Sequence, residues 1–115
     1  MKVAIPRFGE EVAPCFEYSA TIAIFTIEKN QVVEQTDFTL RSQQSLDRLR
    51  LLRDQSVDVL ICGGIQDRFE ELVNAKGIRT ISWVSGDVKD LLDQYIAGTL
   101  VSGSARLGKT GPTKN

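Results

Sequence analysis

The 115-residue chain contains no histidine. That absence excludes Ser-His-Asp and Cys-His nucleophilic catalysis, histidine-ligated zinc and any imidazole pH switch. Cysteine is nearly as scarce. Cys15 and Cys62 lie far apart in the chain, so there is no CxxC redox or zinc motif. Two such thiols in a reducing compartment are expected to stay free. No apolar run approaches the ~20 residues of a membrane span, and no basic-then-apolar leader opens the sequence. These absences predict a cytoplasmic protein with no membrane partner. An excess of positive charge is missing too: 14 Lys plus Arg face 15 Asp plus Glu, a net charge of -1, which argues against nucleic acid as a partner. Neither GxGxxG nor GxxxxGK[ST] occurs, which removes dinucleotide and P-loop readings.

What remains has the make-up of an ordinary globular domain, with 42% hydrophobic and 25% charged residues. Residues 1–100 are expected to form a single α/β domain. From Gly98 onward the chain turns glycine-rich, and Arg106, Lys109 and Lys114 have no acidic neighbour there. Residues 101–115 therefore read as a disordered, Gly-rich basic tail.

Lys2 to Ile5 reads as a strand running into Pro6, followed by a loop over residues 6–18. Thr21–Ile27 and Val32–Phe38 are rich in β-branched and aromatic residues, and the polar turn between them makes a hairpin beside the first strand. The period then becomes helical. Leu46, Leu49 and Leu52 line one side of a helix over residues 43–55, with Arg48, Arg50 and Arg53 on a solvated face. Val57–Ile61 is a buried strand entering Cys62-Gly63-Gly64. A helix over residues 67–76 is expected to bury Phe69, Leu72 and Val73. Ile78–Trp83 is a further strand, and Asp87 caps a last helix that ends at Gly98. Trp83 and Tyr95 read as core aromatics. The order β-β-β-α-β-α-β-α predicts a ribonuclease H-like three-layer α/β sandwich with a mixed five-stranded sheet. A nuclease on that fold needs several strand carboxylates to hold two metal ions. Asp58 is the only acid inside the central strands.

In open α/β sheets, ligands gather at the carboxyl ends of the strands where strand order reverses. The first strand and the one ending at Ile61 are expected to be parallel neighbours there. Their ends lead into the 6–18 loop and into Cys62-Gly63-Gly64, which brings Cys15 and Cys62 to one edge. Gly63 and Gly64 before a helix N-terminus offer backbone N–H groups to an anion. Arg68, in that helix's first turn, and Arg7 can add positive charge.

The sequence resembles the dinitrogenase iron–molybdenum cofactor biosynthesis family, of the NifX and NifB C-terminal-domain type. The matching segments are Met1–Pro6, Val12-Ala13-Pro14-Cys15-Phe16, Val57–Ile65, Leu72 with Lys76-Gly77-Ile78, and Tyr95–Leu100. The resemblance implies a protein with no enzymatic activity that binds iron–sulfur or iron–molybdenum-type clusters. It would act as carrier, store or insertion aid between cluster donor and acceptor proteins. Cys15-Phe16-Glu17 stands where the family commonly carries His-Phe-Gly, whose histidine is implicated in cluster binding. A thiolate is the usual protein ligand of iron–sulfur clusters. Cys15 is thus the expected first metal ligand and Cys62 the second, with Phe16, Gly63, Gly64 and Arg68 around the cluster. Two cysteines are too few for all four terminal positions, so a homodimer sharing one cluster is one expected solution. The alternative is a protein-interaction or regulatory module on the same fold without the cluster.

Overall fold

The computed structural model describes residues 1–103. The tail predicted over 101–115 lies outside the described residues from position 104 on. Ser102 Oγ accepts from Ser82 N, and Gly103 N donates to the Ser82 carbonyl, which ties the chain to the sheet as far as Gly103.

The elements in chain order are β1 (Lys2–Phe8), β2 (Glu11–Val12), a single 3₁₀ turn (Phe16–Tyr18), β3 (Thr21–Glu28), β4 (Gln31–Thr39), α1 (Leu46–Asp54), β5 (Val59–Ile61), α2 (Asp67–Ala75), β6 (Arg79–Ile81) and α3 (Val88–Ala97). The sheet runs β4-β3-β1-β5-β6, with β2 paired to β1 alone. It is mixed: β1–β3 and β3–β4 are antiparallel, whereas β1–β5 and β5–β6 are parallel. The expected five strands become six, because the two-residue β2 is too short to carry a periodic signal.

β1 also runs past Pro6, where the sequence reading ended it. Pro6 lacks an N–H, but its carbonyl faces β2 and accepts from Ala13 N. The missing donor therefore falls outside the β1–β3 ladder, which continues through Pro6↔Ile22 to Arg7↔Thr21. Lys29 and Asn30, at φ 53° and 63°, make the tight turn of the β3–β4 hairpin.

Alternation sends the two faces of the sheet into two cores. On one face Val3, Ile5, Ala23, Phe25, Val59 and Ile61 pack beneath Val88, Leu91 and Leu92 of α3. On the other, Ala4, Ile22, Ile24 and Leu60 meet Leu49 and Leu52 of α1 and Phe69 and Val73 of α2. Asp87 caps α3 as expected, its carboxylate accepting from Lys89 N and Asp90 N. Gly98 ends α3 in the left-handed conformation.

Two helical assignments need correction. Arg48 is not on a solvated face. α1 begins only at Leu46, so Arg48 lies in its first turn and folds back, buried, onto the carbonyls of Ser19, Ser42 and Gln44. Leu46 is exposed in its place. In α2 the buried stripe is Phe69 and Val73, and Leu72 faces outward.

Candidate functional site

The edge predicted to gather the cysteines is where β1 and β5 end. The loop after β1 returns across the turn after β5 and pairs with it. Gly64 N donates to the Pro14 carbonyl at 2.8 Å, Phe16 N donates to the Gly64 carbonyl at 2.9 Å, and Cys15 and Gly64 form an isolated parallel bridge. Gly63 and Gly64 are what permits this approach. A Cβ on Gly63 would stand 2.6 Å from the Ala13 carbonyl oxygen, and one on Gly64 2.9 Å from that of Pro14 and 3.3 Å from the Trp83 ring. The space beside the two glycines, expected to cradle an anion, is filled by the chain's own loop and by Trp83.

A carboxylate also stands at the N-cap of α2. Glu17 is buried, and its Oε2 accepts from Gln66 N at 2.9 Å, so a carboxylate from the 3₁₀ turn sits where an external anion was expected. Its Oε1 accepts from Cys15 Sγ at 3.6 Å. Glu17 thus joins the first cysteine to the second helix. Arg68 is exposed on the first turn of α2.

The two thiols differ sharply in setting. Cys62 is fully buried in the core that contains Phe16, Ile65 and Phe69. Burial, and then the nearby carboxylates of Glu70 and Glu17, push its ionisation far above the ordinary thiol range. Phe16 is buried too, its ring tilted against that of Phe69 at a centroid distance of 5.6 Å. Cys15 is half-buried, and partial burial and the Glu17 carboxylate raise its pKa.

Cys15 borders a groove of about 610 Å³ whose walls are mostly apolar, lined by Phe8, Pro14, Tyr18 and Ala20, with Arg7 at one side. Phe8 and Tyr18 are 79% and 71% exposed, the two most exposed large hydrophobic side chains among the described residues. Arg7 is held by Asp37 at 2.6 Å, which raises its own pKa and lowers that of Asp37. The sequence reading missed Phe8, Tyr18 and Glu17. An aromatic next to a loop glycine carries no sign of exposure, and the burial of Glu17 depends on where the 3₁₀ turn docks.

The donor set decides how a cluster fits. Among the described residues no group of three or more His, Cys, Asp or Glu side chains is arranged to hold a metal ion. One chain therefore presents a single half-exposed thiol to a cluster, against the four protein ligands of the common types. That donor set offers a cluster one terminal ligand and does not enclose it.

A six-stranded mixed α/β sheet with a cysteine-bearing loop across its parallel strand ends defines the class of domain. Residues 1–98 match the family described as dinitrogenase iron-molybdenum cofactor, and the chain belongs to that family. Solved structures share its fold. PH0822 is 24% identical with a TM-score of 0.83, covering 90% of this chain and 96% of that one. MJ0327 of Methanocaldococcus jannaschii, named as a candidate dinitrogenase, is 23% identical with a TM-score of 0.75 over 90% and 95%. The apo form of the orange protein of Desulfovibrio gigas is 15% identical with a TM-score of 0.73 over 90% and 92%. No curated protein matches the sequence significantly.

Proposed function

We propose that this protein carries a metal–sulfur cluster, of iron–sulfur or iron–molybdenum type, as cargo between donor and acceptor proteins of a cofactor assembly pathway. It does so without catalysing a reaction, in the cytoplasm, on a ribonuclease H-like layered scaffold. The observation that carries the reading is the placement of Cys15. It is a partly exposed thiol at the edge of an apolar groove, on the loop that the resemblance aligns with the family's cluster-binding segment. Cys15 is the ligand of choice, and each ligation event releases its proton to solvent. Cys62, beneath it, supports the loop as a core residue. A sulfide-rich cluster presents a soft, weakly hydrated surface to the groove, which Phe8, Pro14 and Tyr18 shield from water.

Anaerobic reconstitution with ferrous iron and sulfide, followed by iron and sulfide analysis, tests the reading. Wild type should hold cluster, Cys62→Ser should hold it equally, and Cys15→Ser should hold none above background. Retention of cluster by Cys15→Ser, or no cluster on wild type, would overturn the reading.

A second reading has its own observation. The exposed Phe8 and Tyr18 border the same apolar groove, and a partner protein could use them without any cluster. A partner that still binds when both cysteines are serine would favour this interaction-module reading.

A further inference from the structure

A second cavity, of about 310 Å³, opens at the far end of the sheet from Cys15, where β1 and β6 begin and the β3–β4 hairpin turns. Ile27, Ile81, Ile96 and Leu100 give it apolar walls. Three residues around it carry hydrogen-bond donors, Arg79, Tyr95 and Asn30, and among the described residues no Asp or Glu lines it. Arg79 makes no ion pair and no hydrogen bond through its guanidinium among the described residues. By contrast Arg7 at the Cys15 groove, and Arg50 and Arg53 beside α1, are each held by an aspartate. The Tyr95 hydroxyl donates to Met1 Sδ at 3.4 Å, a thioether and therefore a weak acceptor. The last carbonyls of α3 make no claim on Arg79, because those of Gln94 and Tyr95 already accept from Thr99 N and Gly98 N.

We infer that this cavity binds a small monocarboxylate with an apolar body, Arg79 pairing with the carboxylate and the isoleucines covering the body. Neither cysteine takes part, so the site stands apart from cluster carriage. A guanidinium presents a planar fork that matches the two oxygens of a carboxylate, and such a charge-assisted contact is roughly twice as strong as a neutral hydrogen bond. Tyr95 exchanges a thioether for a carboxylate oxygen when the ligand enters. A neutral molecule of the same shape leaves the guanidinium without a counter-charge, and a cationic one meets it with like charge. The volume lies at the lower end of the range for small-molecule pockets, about 300–1,000 Å³, which limits the body to a short acyl chain or a single ring.

The test is a titration of the full, isotope-labelled chain with octanoate, followed by amide NMR shifts, with octanol and octylamine as neutral and cationic counterparts. Octanoate should give saturable shifts centred on Ile81, Ile96 and Gly98. Octanol and octylamine should bind at least about ten-fold more weakly, the scale of a hydrogen bond to a charged group. Arg79→Gln should fold normally, since the side chain is exposed and makes no ion pair among the described residues. It should weaken octanoate by the same factor and leave octanol unchanged. Tyr95→Phe should weaken octanoate less, by about two- to ten-fold, the scale of one neutral hydrogen bond. Octanol binding as tightly as octanoate, or octanoate binding unaffected by Arg79→Gln, would overturn the inference. Shifts centred on Phe8 and Tyr18 would move the ligand to the Cys15 groove and overturn it too. So would the absence of saturable shifts at millimolar octanoate.

Discussion

Cys15 and Cys62 meet at the same edge of the sheet, yet they occupy opposite kinds of environment. Cys15 rides on a loop between exposed aromatics and beside a cavity; Cys62 follows a buried strand and shares a core with Phe16 and Ile65. Convergence of two residues at a strand edge follows from topology. Whether each can meet a ligand depends on which one the returning loop covers. Here the loop bearing the first cysteine, seated on Gly63 and Gly64, lies over the turn that carries the second.

Thiol labelling is the hardest test of that contrast. In the folded protein, iodoacetamide should modify Cys15 and leave Cys62 untouched until the chain unfolds, a protection of at least about 10³-fold for a core position. Because burial and Glu17 raise the Cys15 pKa, its rate should still be climbing at pH values where a free thiol has levelled off. Comparable labelling of Cys62 in the native state would erase the contrast.

The loop's anchors come next. Arg48 donates from a buried guanidinium to the Ser19 carbonyl, which follows the 3₁₀ turn, and to two carbonyls ahead of α1. Arg48→Met should cost about 3 kcal/mol in denaturant unfolding, the scale of hydrogen bonds made by a charged group together with stranded carbonyls. Gly63→Ala drives a methyl against the Ala13 carbonyl oxygen and should cost about 1–3 kcal/mol. At this chain length that lowers Tm by roughly 4–8 °C per kcal/mol. It should also loosen the Cys15 loop, so Cys62 labelling should rise in this variant. An unchanged melting curve would mean the close approach is unimportant.

The smallest effect belongs to Asp37 and Arg7. This pair is partly exposed, so Asp37→Asn should change stability by no more than about 0.5 kcal/mol at neutral pH. The Arg7 hydrogen bond lowers the folded pKa of Asp37. Its contribution is therefore present above the unfolded carboxylate value of about 4 and disappears as pH falls through the lower folded value. Stability curves of the variant and wild type should converge in acid, and a gap that widens there would contradict the pairing.

Much of this arrangement is legible in the sequence, for reasons that can be named. The β1–β5 neighbourhood follows from chain order and the handedness of helical crossovers, and it alone predicts that the loop after β1 and the Cys62-Gly63-Gly64 turn share an edge. Asp87 and Gly98 announce both ends of α3 because capping chemistry is local. Arg48 and Leu72 mislead because helical periodicity gives the phase of a face only when the helix start is known, and the charge on Arg48 argues for the surface. Gly63 and Gly64 look the same in a sequence whether a ligand or a loop approaches them; the Pro14 and Ala13 carbonyls decide it here. The segments that carry the family resemblance supply the link to an iron–molybdenum cofactor family, and the match over residues 1–98 bears that family out.

The most direct test of the central claim compares thiol labelling of the empty and the reconstituted protein under anaerobic conditions, read by peptide mass spectrometry. Cys15 should be labelled when the protein is empty and protected when cluster is present, in proportion to iron content, while Cys62 stays unlabelled in both. Equal labelling of Cys15 with and without bound iron would show that the cluster is held elsewhere.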